Sequence, residues 1–230
     1  MVTIKSPAVK RKSPPGDSVR TRLLKSAQHL FAKSGYDGVA VDEIVRRAGV
    51  NKRMVYHYFG SKEGLYGEVL RTVFAELEEI EMSLFEAGDP VKNPERALEE
   101  TVAAYFSFLR NHPAFVRLLL WENLNEGRHL RTLERPVTKS PMLSHLTRVL
   151  EAGEKSGRFR RKLDPNSVLV SLIGLCLVYF SNRHTLTATL GLNLSDEGIL
   201  SAAAQHSSAI LLHGIVRSKS RGKAQPGDHR

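Results

Sequence analysis

With 230 residues and 41% hydrophobic side chains, the chain has material for one or two domains and a sizeable core. Its lone cysteine, Cys176, excludes an internal disulfide framework and any multi-cysteine metal site, and it fits a reducing cytoplasm as a buried small hydrophobe. The formal net charge of +10 is uneven: residues 1–64 carry +8, residues 65–216 carry −2 and residues 217–230 carry +4, the footprint of a nucleic-acid module attached to a near-neutral body.

Residues 1–17 are rich in Lys and Arg, hold three prolines and offer little to bury, so disorder is expected there. They show no apolar leader. Two roles remain open for such an arm, an entry into a DNA minor groove and a diffuse electrostatic attraction. A first helix is expected over residues 18–34, with Leu23, Leu24, Ala27, Leu30 and Phe31 as its apolar stripe and Gly35 closing it. Val41, Ile44, Val45 and Ala48 then fall at i, i+3, i+4 and i+7, one face of a short helix over residues 41–48. Gly49 ends it and supplies the left-handed turn, and Asn51 is a good N-cap for a third helix over residues 52–59. Helix, glycine turn, helix is the outline of a helix-turn-helix DNA reader.

Gly60 and Ser61 break the chain, and Ser61 caps a long fourth helix with Leu65, Val69, Val73, Leu77, Ile80 and Leu84 on one face. Residues 88–94 form a breaker-rich linker. Helices are expected over 95–110 and 114–125, a turn at Gly127-Arg128-His129, and a helix opened by Pro136 that runs to about 154. A basic loop over 153–164 leads to Asp164, which caps an apolar helix over 166–187 with Pro165 at its first position. The most apolar run, residues 168–180, is shorter than the ~20 residues that a membrane-spanning helix needs, so no membrane association is expected. A last helix covers 195–216. The fold class is therefore all-α, about nine helices, divided into a disordered arm (1–17), a helix-turn-helix domain (18–64), a helical bundle for effector binding and dimerisation (65–217) and a disordered basic tail (218–230).

The stretch Val41–Tyr66, VDEIVRRAGVNKRMVYHYFGSKEGLY, resembles the tetracycline-repressor (TetR) family of bacterial transcriptional regulators. The resemblance lies in a first helix ending Ala-Gly-Val, a short second helix with Tyr-x-Tyr/His-Phe, here Tyr56-His57-Tyr58-Phe59, and Ser-Lys-Glu-x-Leu; with the preceding helix it covers residues 18–66. HPAFVRLLLWENLNEGRHL further on also looks like effector-domain sequence of the family. The resemblance implies a DNA-binding regulator, a repressor more often than an activator, that acts as a homodimer on a palindromic double-stranded operator and is released or retained by a small molecule.

Lys52 and Arg53 are the expected readers of base edges, since Arg bidentate to guanine is the commonest specific contact. Tyr56, His57 and Lys62 match positions that contact DNA in the family, often through phosphates. Exposed N–H groups beside Asn51 are expected to meet a phosphate as well. Tyr58 and Phe59 are expected in the small three-helix core, with Val39, Val41, Ile44 and Val55. Two residues depart from the family pattern. Ala40 stands where a capping, phosphate-reaching Thr or Ser is usual, and Val45 replaces a small Ala where helices cross.

In the body, the helices over 166–187 and 195–216 are the expected homodimer contacts, with Ala202, Ala203, Ala204 and Gly214 permitting close approach. Trp121, Tyr105, Phe106, Phe108, Asn125, Tyr179 and Arg183 are the candidate lining of an effector pocket, Trp121 foremost. An enzyme is not expected: the sequence has no phosphate-binding glycine loop, no Gly-x-Ser-x-Gly and no His-Glu-x-x-His. No catalytic residue, metal ligand or cofactor is expected either, the nine histidines, among them His145, His184 and His213, being scattered. The competing reading is a sequence-nonspecific DNA binder driven by the two basic ends.

Overall fold

The computed structural model describes residues 18–87, 90–133 and 140–216, and among these it shows eleven helices and no strand. They are α1 Val19–Ser34, α2 Val41–Ala48, α3 Arg53–Phe59, α4 Lys62–Ala87, α5 Pro94–Asn111, α6 Pro113–Leu124, α7 Arg128–Arg131, α8 Ser140–Lys155, α9 Pro165–Ser181, α10 Arg183–Leu190 and α11 Glu197–Ile215. The basic arm 1–17, the tail 218–230 and the helix start expected at Pro136 lie outside the described residues.

The chain forms two compact units that divide between Val69 and Leu70, inside α4. A boundary at 64/65 is what the sequence suggests; the difference arises because the first two turns of α4 belong to the small core. Leu65, Tyr66 and Val69 are buried, and the Tyr66 ring meets Phe31 edge-on at 4.9 Å. That core also holds Leu23, Ala27, Phe31 and Ala32 of α1, Val39 ahead of α2, Ile44, Val45 and Ala48 of α2, and Val55 of α3. Helix α1 begins where the Ser18 hydroxyl accepts the Thr21 N–H at 3.2 Å, satisfying one of the donors that a helix start leaves open.

In the second unit α5 and α9 are central: α5 packs on α8, α9 and α11, and α9 packs also on α6, α8 and α10. Both begin with Pro at the first position behind a side-chain cap, Asn93 accepting the Arg96 N–H at 3.1 Å and Asp164 accepting the Ser167 N–H at 3.0 Å. The Asp164 carboxyl lies below its ordinary pKa because the Ser167 hydroxyl and the backbone N–H groups of Ser167 and Asn166 favour its charged form. After α8 the chain turns back so closely that a Cβ at Gly153 would lie 2.0 Å from the Phe159 ring; glycine alone lets that ring bury. Phe159 then makes an isolated antiparallel bridge with Val216, and the Arg160 N–H donates to the Ile215 carbonyl at 2.9 Å.

Two expectations about the body are corrected. The helix expected over 166–187 is two helices, α9 and α10, bent by 70°. Asn182 departs from helical geometry at φ −102°, ψ 14° and serves both as the end of α9 and the start of α10. Its carbonyl takes the Leu186 N–H and the Thr185 hydroxyl, so the break leaves few backbone groups open. With no Gly or Pro at the junction, the sequence pattern gives no warning. The turn expected at Gly127 is followed by the short helix α7. Together, α7 and α10 account for eleven helices in place of about nine. No single described helix is long and apolar enough to cross a membrane.

Candidate nucleic-acid interface

The geometry of α2, the turn and α3 follows from local chemistry. Gly49 sits at φ 63°, ψ 42°, the left-handed region, and the next N–H, that of Val50, reaches back to the Val45 carbonyl at 3.1 Å. The Asn51 side chain accepts the Arg53 N–H at 2.9 Å, and the backbone carbonyls of Asn51 and Lys52 take the N–H groups of Met54 and Val55. The N–H groups of Arg53, Met54 and Val55 are therefore already bonded within the protein.

Val55 is fully buried, and this fixes the rotation of α3. Lys52, Arg53, Tyr56 and His57, at i, i+1, i+4 and i+5, are all exposed and share one side of the helix. Tyr56 is 51% exposed, an unusual position for a large ring that serves only packing. Tyr58 also faces outward at 42% exposure, against the expectation that it packs in the core; only Phe59 turns partly inward, under the guanidinium of Arg20, 5.5 Å from the ring centre. Arg20 is itself held by the Glu68 carboxylate.

The cationic side chains of this surface are held in different ways. Lys52 Nζ lies 3.0 Å from the carboxylate of Asp42, in the first turn of α2. Hydrogen bonding to Asp42 and the charge of Asp42 hold the Lys52 ammonium above its ordinary pKa. Arg53 has no ion-pair partner among the described residues. Lys62, at the start of α4, places its ammonium 4.2 Å from the centre of the Tyr36 ring, a cation–π contact that fixes its direction. Ala40 is exposed at the N-cap of α2, where it offers no side-chain oxygen; half of a capping box survives, with Glu43 Oε2 accepting the Ala40 N–H at 3.2 Å.

The candidate effector residues fall into separate groups. Phe108 is fully buried, its ring stacked on His112 at 4.3 Å and edge-on to Phe115 at 5.0 Å, so it belongs to the α5–α6 corner of the core. Phe106 meets Tyr179 at 5.7 Å and Phe180 at 4.9 Å, joining α5 to α9. Tyr105 is buried beside Cys176; burial is the main reason that its hydroxyl is pushed above its ordinary pKa, and burial pushes the Cys176 thiol up to about 12. Trp121 and Asn125 are half-buried at the end of α6, with Asn125 Nδ2 donating to the Trp121 carbonyl at 2.8 Å. Arg183 opens α10, beyond the bend. Two surface grooves of about 600 Å³ lie elsewhere, between α5 and α11 and between α9 and α11.

Sequence reasoning missed the polar groups that organise the body. Glu122, 1% exposed, accepts the N–H groups of His129 and Leu130 at 3.1 Å each, and pairs with His129 Nδ1 at 3.0 Å. That triple use of one carboxylate anchors the start of α7 to the end of α6. A Glu inside the apolar run FVRLLLWEN was the available signal. His145 Nε2 lies 2.8 Å from the buried Thr101 hydroxyl, which itself donates to the Ala97 carbonyl; Nε2 must therefore carry the proton and donate to Thr101. Among the described residues no group of His, Cys, Asp and Glu is placed to hold a metal ion.

The comparisons with known proteins agree with this architecture. A family model described as bacterial regulatory proteins, tetR family, matches residues 23–69, and one described as a tetracyclin repressor-like C-terminal domain matches residues 94–210. The chain is 34% identical over 202 residues to the HTH-type transcriptional repressor NicS of Pseudomonas putida, across 87% of this chain and 94% of that protein. It is 25% identical over 193 residues to the HTH-type transcriptional regulator RutR of Escherichia coli, across 84% and 88%. Its fold is similar to that of a transcriptional regulator from Streptomyces coelicolor, with TM-score 0.64 and 22% identity over 86% of this chain and 98% of that one. It is also similar to the ketosteroid regulator KstR2 of Mycobacterium tuberculosis, with TM-score 0.60 and 23% identity over 88% and 97%. With the helix-turn-helix, its outward-facing third helix and both family models in agreement, the chain belongs to the TetR family of bacterial regulatory proteins and is a DNA-binding transcriptional regulator.

Proposed function

We propose that this regulator is a repressor that binds a palindromic operator as a homodimer and responds to a small-molecule effector held in its helical body. The observation that carries the DNA-binding part is the exposed face of α3, where Lys52, Arg53, Tyr56 and His57 stand together opposite the buried Val55. In this reading Arg53 and Lys52 address base edges, and Tyr56, His57 and Lys62 hold phosphates. Repression is the role that the name of the similar NicS protein carries.

The second copy belongs on α9 and α11. Ile210, 44% exposed, lines the groove between the two helices with Gly174 and Gly214, and Val170 on α9 is 69% exposed. Large apolar side chains beside small ones suit a close helix–helix contact with another subunit. The effector we assign to the interior between α5, α6 and α9, near Tyr105, Tyr179, Trp121 and Asn125, with Arg183 as an outer contact; Phe108 is left to the core. An effector of higher affinity for one arrangement of the two heads would shift DNA binding by that difference.

Selection of duplexes from a random pool is the direct test. A palindromic motif should emerge. Arg53→Ala should then relax base preference at one or two positions per half-site, by ~1–3 kcal/mol for a bidentate contact, while Lys62→Ala weakens all sequences alike. A pool that yields no motif would favour a nonspecific, tail-driven binder and overturn the proposal. Ile210→Lys should give a monomer in sedimentation, and mass spectrometry of small molecules that co-purify with the full chain identifies the effector class.

A further inference from the structure

The contact between Asp42 and Lys52 joins two helices that the DNA surface needs together. Asp42 stands in the first turn of α2, Lys52 directly before α3, and the ammonium lies 3.0 Å from one carboxylate oxygen and 3.1 Å from the other. Both side chains are exposed, so the pair is not a packing device. Its neighbours are Tyr56, one turn along α3 from Lys52, and Glu43, whose carboxylate is turned back onto the Ala40 N–H.

An anion that reached Lys52 would meet the Asp42 carboxylate at close range. For a DNA phosphate, which carries a full charge, that approach is opposed by like-charge repulsion. The O6 and N7 acceptors of guanine are neutral, and the opposition is much smaller. A carboxylate beside the lysine therefore handicaps the sequence-independent contact more than the base contact. We propose that Asp42 is a positioning residue for DNA recognition: it holds Lys52 across the turn and keeps it from acting as a free phosphate clamp, so that α3 discriminates operator from other DNA. This rests on the reading that Lys52 contacts DNA.

The test compares the full-length protein with Asp42→Asn, Asp42→Ser, Asp42→Glu, Lys52→Ala and the Asp42→Asn/Lys52→Ala double variant. The two probes are a duplex enriched by selection with the unmodified protein and a scrambled duplex of the same length and composition. Circular dichroism checks the helix content of each variant. Asp42→Asn and Asp42→Ser should bind the scrambled duplex about two- to fivefold more tightly, the scale of one exposed ion pair, with a smaller change on the selected duplex, so that discrimination falls. The salt dependence on the scrambled duplex should steepen by about 0.9 in log–log slope, one additional phosphate contact. Asp42→Glu should keep the original discrimination, and Asp42→Asn should add nothing in the Lys52→Ala background.

Unchanged discrimination and slope in both neutral variants overturn the inference, as does an equal gain from Asp42→Asn without Lys52, which would make Asp42 a general charge and not a partner of Lys52. If Lys52→Ala binds both duplexes as the unmodified protein does, the reading of Lys52 as a DNA contact falls and the inference with it. If Lys52→Ala weakens binding while the neutral Asp42 variants change nothing, the inference alone falls.

Discussion

The DNA-binding head and the helical body are wired on different length scales. In the head, most polar contacts that shape the reading surface are short in sequence: Asn51 to Arg53, Glu43 to Ala40, Ser61 to Gly64, and Lys52 to Asp42 across the turn. In the body several ordering contacts reach much further, from Thr101 to His145, from Ser207 to the Leu175 carbonyl and from Arg158 to Asn93, beside the nearer ones from Glu122 to His129 and Leu130. The head can thus aim most of α3's side chains with a small core, because they are set by residues on the same or the neighbouring helix; Lys62, steered by the Tyr36 ring, is an exception. The body depends on helices that meet only once the chain has folded back, and closing those longer loops costs more entropy before any contact forms.

The strongest way to break this comparison is to empty one core and watch the other. Phe31→Ala removes a fully buried ring that meets Tyr66, and should cost about 3–5 kcal/mol in the head. Hydrogen exchange should show lost protection across α1 to α3 and DNA binding should disappear, while the urea transition followed by Trp121 fluorescence stays in place. A Trp121 transition that moves as far as the head does would show that the two units unfold as one.

The converse change is Glu122→Ala. It strands the N–H groups of His129 and Leu130 and the His129 ring, and should cost about 3 kcal/mol, since each buried donor left unpaired costs ~1–3 kcal/mol. Here the Trp121 transition should move to lower urea and the exchange pattern of α1 to α3 should not. Smaller, and opposite in sign, is Ala40→Ser. A hydroxyl at the α2 N-cap would complete a capping box with Glu43 and stabilise the head by about 1 kcal/mol, read as slower exchange in α2. An unchanged exchange rate would mean that the Glu43 half already satisfies this helix start.

The smallest expected effect sharpens the body's side of the contrast. His145 is held below its ordinary pKa of about 6.5, chiefly by burial and secondarily by the charge of Arg148. Its neutral form is the folded one, so the unfolded chain takes up a proton first as pH falls. The contribution is full above the unfolded pKa and is lost as pH drops through and below it. The urea midpoint of the body should therefore decline between pH 7 and pH 5. His145→Gln, which can still donate to Thr101, should flatten that decline; an identical slope would remove His145 as its source.

The same difference in length scale explains what could be read in advance. Helix α2 was legible to the residue, because Val41, Ile44, Val45 and Ala48 give its face and Gly49 its end. The exposure of Lys52, Arg53, Tyr56 and His57 follows once Val55 is taken as the inward residue. Tyr58 was misread because an aromatic ring on a short helix suits either side, and neighbouring elements choose. The bend at Asn182 was hidden because an apolar run continues to Phe180 and only polar residues, with no Gly or Pro, mark the junction. The partner of Glu122 was also hidden, since a lone Glu in an apolar helix says only that something must meet it.

By itself, then, the sequence determined the all-helical fold, the helix-turn-helix and the exposed face of α3, because periodicity, caps and glycine turns act over a few residues. The tertiary structure alone decided that Asp42 holds Lys52, that Tyr58 faces outward, and that Glu122 and His145 are bonded in the interior. Those outcomes depend on which side chains converge when separate helices pack, and no local pattern encodes that convergence.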